Sequence, residues 1–181
     1  MHPLAHFKTI TRHRHLVCRY CLRLGLVWQG LTHDLSKYSP TEFWRGARYY
    51  QGYRSPNDQG RLETGRSLAW LHHKGRNRHH FEYWIDYLRT EDGRIAYGGN
   101  RMPLRYVAEM FCDRIAAGRV YRGDAYTNDD PYNYFVRSKH EILMHPETSA
   151  EIEEMLRVLK DEGEKAAFAY VRGRLREEKN K

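Results

Sequence analysis

The chain has 181 residues, 40% of them hydrophobic, with Trp 4, Tyr 14 and Phe 6, and a formal charge of +8 from 31 Lys and Arg against 23 Asp and Glu. That length predicts one domain with a real core, and the aromatic content excludes a disordered chain. The positive excess fits anionic partners, either a small phosphorylated substrate or nucleic acid, and no apolar run reaches membrane-span length.

Three cysteines make no secreted disulfide framework, and the start of the chain, Met1-His2-Pro3-Leu4-Ala5-His6-Phe7-Lys8, lacks the apolar segment of a signal peptide, so a cytoplasmic protein is expected. Cys18 and Cys21 form a C-x-x-C pattern with no second pair, which excludes a four-cysteine zinc site. At helical spacing the pair reads as a packed face, and Cys112 reads as core.

The elements follow in chain order. A first helix over 7–24 carries Leu16, Val17, Tyr20 and Leu24, with Gly25 as its stop. A shorter one spans about 26–35. Ser39-Pro40-Thr41-Glu42 predicts a helix start with Ser39 as N-cap, Pro40 in the first turn and Glu42 closing a capping box. The segment 51–60 reads as a loop, 61–73 as a helix, and 77–88 as another helix capped by Asn77. The polar, Gly-rich 90–100 reads as a loop. Pro103 opens a helix with Leu104, Val107, Met110, Phe111 and Ile115 at i, i+3, i+4 spacing, ending near Gly118. Asp130-Pro131 opens one that runs to about Leu143. Thr148-Ser149-Ala150-Glu151 reads as a capping box for a long final helix, and the charged tail 172–181 as frayed. The whole predicts an all-α single domain, with its core over about 7–160.

Chemistry concentrates in Leu31-Thr32-His33-Asp34-Leu35-Ser36-Lys37. Neighbouring side chains on a helix diverge by about 100°, so His33 and Asp34 converge only where the helix ends or unwinds; Ser39-Pro40 would supply that end. Imidazole with carboxylate suits Fe, Mn, Co or Zn. His13 and His15 lie two residues apart and cannot face one centre together; His15, beside Leu16 and Val17, reads as the inward one. His72-His73 and His79-His80 flank a turn containing Lys74, Arg76, Asn77 and Arg78. This is either a solvated basic turn or a metal edge beside an anion pocket, and the nearby His-Asp pair favours the second. Asp113 sits on an apolar helix face four residues after Glu109. A buried carboxylate is costly, and either a metal or an arginine would relieve it.

Two resemblances add to this. The stretch from His15 to about Tyr121, with its His-Asp-Leu-Ser-Lys and His-His-Lys-Gly-x-Asn-x-His-His runs, resembles an uncharacterised bacterial and phage family of unknown function, DUF5662-like. The order His15, His33-Asp34, His73, Asp113 also resembles the HD superfamily of metal-dependent phosphohydrolases. That second resemblance implies an HD-like helical bundle with one or two divalent ions. His15, His33, Asp34 and Asp113 would hold the first ion, and Asp34 would bridge to a second held by His73 and by His79 or His80. Asp34 and Lys37 would be catalytic, and Lys37, Arg76 and Asn77 would hold phosphate; by residue type and position alone, Tyr49, Tyr50 and Arg54 are candidates to contact a base or sugar. The implied activity is hydrolysis of a nucleotide or other small phosphorylated metabolite. An HD-type di-iron oxygenase and a non-catalytic basic module binding nucleic acid or protein remain the alternatives.

Overall fold

One buried stripe sets the first helix. In the computed structural model, which describes residues 1–180, α1 (Pro3–Arg23) buries Ile10, Val17, Tyr20 and Cys21 at three- and four-residue steps. His6 and His13 lie on that same stripe and are buried with it, whereas His15 is exposed. Gly25, at φ +76°, turns the chain into α2 (Val27–Thr32). α2 stops at His33, whose ψ of 125° is not helical, and Asp34 follows in the left-handed region at φ 54°. The chain then makes a 3-10 turn, Leu35–Tyr38, before α3 (Pro40–Arg48).

Ser39 caps α3 as expected, its Oγ accepting from Glu42 N at 3.4 Å. The box is not closed, because the Glu42 carboxylate turns instead to His72 and His73. The expected loop over 51–60 contains most of a helix, α4 (Pro56–Thr64), capped by Ser55. Ser55-Pro56 repeats the start signal of Ser39-Pro40, and two glycines obscured it. The expected helix over 61–73 breaks at Gly65 (φ +71°), and α5 (Leu68–Lys74) restarts behind a Ser67 cap.

The helix expected over 77–88 is also corrected. After a turn and a short 3-10 segment, the chain forms an antiparallel hairpin of β1 (Ile85–Arg89) and β2 (Ile95–Gly99), which includes half of the expected loop over 90–100. Tyr87 stands opposite Tyr97, their ring centroids 4.4 Å apart. Asp92-Gly93, with Gly93 at φ +81°, supplies the turn that such pairs favour.

α6 (Leu104–Arg122) continues past Gly118, and α7 (Asp129–Ser138) is shorter than expected. α8 (Pro146–Lys179) is capped by His145, whose Nδ1 accepts from Glu147 N. Thr148 is therefore not a cap; it is buried and accepts from Met102 N at 3.0 Å. The tail is helical through Lys179 with Leu175 buried, because α8 bends at Gly163 (φ 84°, ψ 174°) and so returns to the body.

The fold is thus mostly helical, with one small hairpin. α6 lies at the centre, with α1 on one side and α7 and α8 on the other, while α1 also meets α2 and α3. Phe111, Ile115, Phe135, Ile152, Leu156, Leu159 and Phe168 are fully buried between them. Each contributes about 1.5–3 kcal/mol, which offsets the cost of placing Glu109 and Asp113 on the same central helix. Cys21 and Cys112 are packed in this core, while Cys18, expected on the same face as Cys21, is half-buried. Among the described residues no helix is long and apolar enough to cross a membrane.

Candidate metal centre

The break after α2 brings His33 and Asp34 to one point. A regular helix would splay them; with His33 extended and Asp34 left-handed, His33 Nε2 lies 3.4 Å from Asp34 Oδ2. The helix end is therefore at the pair itself and not at Ser39-Pro40. A non-glycine residue at positive φ is uncommon and costs about 1–3 kcal/mol, the kind of strain that clusters at functional sites. Asp34 is 1% exposed.

Two sets of donor atoms converge on the two oxygens of Asp34. On the Oδ2 side, His13 Nε2 lies 3.6 Å away, 3.4 Å from His33 Nε2 and 3.0 Å from Asp113 Oδ1. On the Oδ1 side, His73 Nε2 lies at 3.2 Å and His79 Nε2 at 3.4 Å, and His80 Nε2 is 2.9 Å from His73 Nε2. Ligands about 2.1 Å from a common ion are separated by about 3.0 Å in an octahedral and about 3.4 Å in a tetrahedral arrangement. The separations in the two sets, from 2.9 to 3.8 Å, lie close to this spacing. His13, His33 and Asp113 form one group able to hold an ion, and Asp34, His73, His79 and His80 another.

Carboxylates behind the rings fix their orientation. Glu109 Oε1 accepts from Nδ1 of both His33 (2.9 Å) and His79 (3.1 Å). Glu42 Oε2 accepts from His73 Nδ1 at 2.8 Å, and its other oxygen takes His72 Nδ1 at 2.6 Å. With Nδ1 carrying the proton, Nε2 of His33, His73 and His79 presents a lone pair toward Asp34. Lone pairs facing a carboxylate repel unless a cation lies between them. His79 Nε2 and both Asp34 oxygens are buried and lack a hydrogen bond. The Lys37 ammonium lies 2.6 Å from Oδ2 and pairs with that oxygen as a salt bridge.

Without an ion, protons supply that cation. Burial opposes a charge on His33, but Asp34, Glu109 and Asp113 push it up to about 10. His73 is raised against its burial by Asp34 and Glu42. His80 falls well below the ordinary value, through burial and then the charges of His79 and His73. Burial would raise both Asp34 and Asp113, yet the facing histidines, with Lys37 beside Asp34, hold them well below the carboxylate range. Lys37 itself is raised against its burial by Asp34 and then Asp113. The centre is thus an anionic socket with neutralisable imidazoles, which matches a divalent ion.

The structure therefore brings together His33, Asp34, Lys37, His73, His79, His80 and Asp113. His15 stays outside, and His13 occupies the place expected of it. The stripe Ile10-His13-Val17 carried that signal, since His15 is out of phase with it. Asn77 is buried, and its amide is committed to Ser36 Oγ at 2.9 Å and His73 O at 2.8 Å, so it positions α5 rather than offering a free donor to the Asp34 side. Arg76 is exposed and donates to His72 O. Tyr49 lines a small cavity between α3 and α4, the Tyr50 hydroxyl pairs with Thr9, and Arg54 rests over Tyr53. None of these three contacts the histidine cluster. Glu42 and Glu109 are the side chains of this cluster that sequence reading missed; Glu109 one turn before Asp113 was a visible cue.

Residues 2–158 match the model of a family of unknown function, DUF5662, and the chain belongs to that family. No curated protein and no solved structure matches it.

Proposed function

We propose that the protein is a metal-dependent phosphohydrolase acting on a nucleotide or another small phosphorylated compound. The observation that carries this reading is Asp34, a strained, buried carboxylate with imidazole nitrogens aimed at each oxygen and the Lys37 ammonium paired with Oδ2 alone. His13, His33, Asp34 and Asp113 would hold one ion, and Asp34, His73, His79 and His80 a second. The order of these residues supports the likeness to the HD superfamily, with His13 as its first histidine.

A divalent ion here supplies Lewis-acid activation of water and neutralises phosphoryl charge. The residues of the chain do the rest. Glu109 and Glu42 keep the Nδ1 protons of His33, His79 and His73, leaving Nε2 free to bind. Lys37 stays charged and provides a cation for a phosphate oxygen. The approach is set by exposure: the Asp113 and Lys37 side chains are 17% and 26% accessible, while those of Asp34 and His33 are closed off. A phosphoryl group therefore enters on the Lys37–Asp113 side. Water adds to phosphorus, the ester P–O bond breaks, and the leaving oxygen takes a proton.

The test is elemental analysis of protein purified without chelator, followed by a screen of nucleoside mono-, di- and triphosphates, cyclic dinucleotides and generic phosphoesters with Mn, Fe, Co and Zn. Asp34→Ala is the blank. Metal-dependent phosphate release above that blank is expected. Tightly held iron with an oxygen-dependent product and no phosphate release would replace this reading by the oxygenase one, which the three imidazoles around the second position suit. No bound metal and no turnover would leave a binding module.

A further inference from the structure

A cavity of about 830 Å³ lies behind the histidine cluster, between α2, the turn after α5, the start of α6 and the last turns of α8. Its described walls include His33, His79 and Glu109 but not Asp34, Asp113, His73 or His80. It therefore borders the Nδ1 side of the rings, where Glu109 sits, and a ligand here is separated from the ion positions by the rings themselves.

The walls carry six cations: Arg76, Arg78, Arg105, Arg172, Arg176 and Lys179. None of them lies in an ion pair among the described residues, although Arg23, Arg119 and Arg174 all do. The two carboxylates in the walls are committed elsewhere, Glu109 to the histidines and Glu178 to Leu104 N at 3.2 Å. Arg76, Arg78 and Arg172 donate to His72 O, the Tyr106 hydroxyl and Arg23 O, which fixes their direction. Arg105, Arg176 and Lys179 make no hydrogen bond among the described residues.

The α8 cations explain why this is more than a solvated helix face. Arg172, Arg176 and Lys179 recur at i, i+4 and i+7, so they share one side of the helix, where like charges repel. The bend at Gly163 and the buried Leu175 hold that side against α2 and α6. Positive charge is thus gathered around one concavity, six cations against the two carboxylates Glu109 and Glu178. The volume lies within the range of small-molecule sites. Trp28, 74% exposed, offers a flat face at its wall.

We propose that this cavity binds a small molecule bearing two or more phosphate groups, at a site separate from the metal centre. Arginine guanidinium groups are suited to phosphate oxygens, and several phosphates are needed to satisfy six cations. The proposal holds whichever reaction the metal centre performs.

The test is calorimetric titration of chelator-treated protein at low salt with inorganic tripolyphosphate and, separately, with ATP. The same titrations are run on Asp34→Ala and on a triple variant, Arg105→Ala, Arg176→Ala and Lys179→Ala. These three side chains make no internal hydrogen bond, so the fold should persist. Binding is expected without metal, unchanged in Asp34→Ala, and weakened on the order of tenfold or more in the triple variant. It should also weaken steeply with added salt. Tighter ATP than tripolyphosphate, with the difference removed by Trp28→Ala, would identify a nucleotide; equal affinity would mean that phosphate alone is recognised. The proposal is overturned if neither probe binds, if the triple variant binds as well as wild type, or if chelator abolishes binding. It also fails if only an oligonucleotide binds, which would make the cavity part of a nucleic-acid surface.

Discussion

Replacing Glu109 by Gln tests the centre without touching a proposed ion ligand. In the native protein one carboxylate oxygen accepts from both His33 Nδ1 (2.9 Å) and His79 Nδ1 (3.1 Å), and Glu109 is 5% exposed. The glutamine amide has nearly the same shape, and its carbonyl can accept both bonds, so neither histidine donor is orphaned. What is lost is the charge. A hydrogen bond to a charged group contributes about 1.5–3 kcal/mol and a neutral one about 0.5–1.5. Two such exchanges remove about 2 kcal/mol of ring orientation and basicity, or roughly 30-fold in ion affinity. That is within the roughly 10–100-fold typical for groups behind metal-binding histidines. The assay is competition for Zn or Mn against a chromogenic chelator at neutral pH, with thermal unfolding in excess chelator as the folding control. A folded variant binding within about twofold of wild type would refute the orienting role. Complete loss of one equivalent would instead make Glu109 a ligand, since His33, His79 and Glu109 also lie close enough to hold an ion.

Three further outcomes are expected. His13→Ala should weaken or abolish metal binding, while His15→Ala, an exposed position, should leave both affinity and stability within about 0.5 kcal/mol; equal losses in the two would show that α1 is phased differently. Gly163→Ala should destabilise by about 1–3 kcal/mol in urea unfolding, because φ 84° with ψ 174° is a conformation essentially confined to glycine, and unchanged stability would mean that α8 is not bent there. His6, packed near Phe43 and Tyr50, is lowered by burial, then by Lys37, from 6.5 to about 4. The unfolded chain binds a proton that the folded one refuses, so this contribution is present above pH 6.5 and lost as pH falls toward 4. His6→Gln in chelator-treated protein should flatten the stability profile in that window, and an unaltered slope would assign it to other groups.

Much of this protein is legible along the chain because its helix boundaries are local chemistry. Ser39-Pro40, Gly25 and Pro103 mark ends through groups that act on their own neighbours; the structure agrees at the first two and shifts the third by one residue, with Pro103 as the N-cap and not at N1. His33, Asp34, the two histidine pairs and Asp113 stand out by residue type alone, and the structure brings most of them together. Where the reading failed, the deciding contact was distant in sequence. Glu42 has the position of a capping-box residue, yet its carboxylate turns to His72 and His73, thirty residues on, because the Ser39 amide is already taken by Ser36 O at 2.9 Å and the two imidazoles offer donors of their own. Segment 77–88 holds apolar residues that suit either period, and only pairing with β2 makes part of it a strand. The tail 172–181 is too charged to promise order, and only the bend at Gly163 returns Leu175 to the core. His13 rather than His15 faces Asp34 because α1 is phased by its whole buried stripe against α6, not by the two residues next to His15. Sequence by itself determined which groups could form a centre; tertiary packing decided which of them do, since convergence of side chains from α1, α2, α5 and α6 depends on how those helices pack and on the left-handed turn at Asp34.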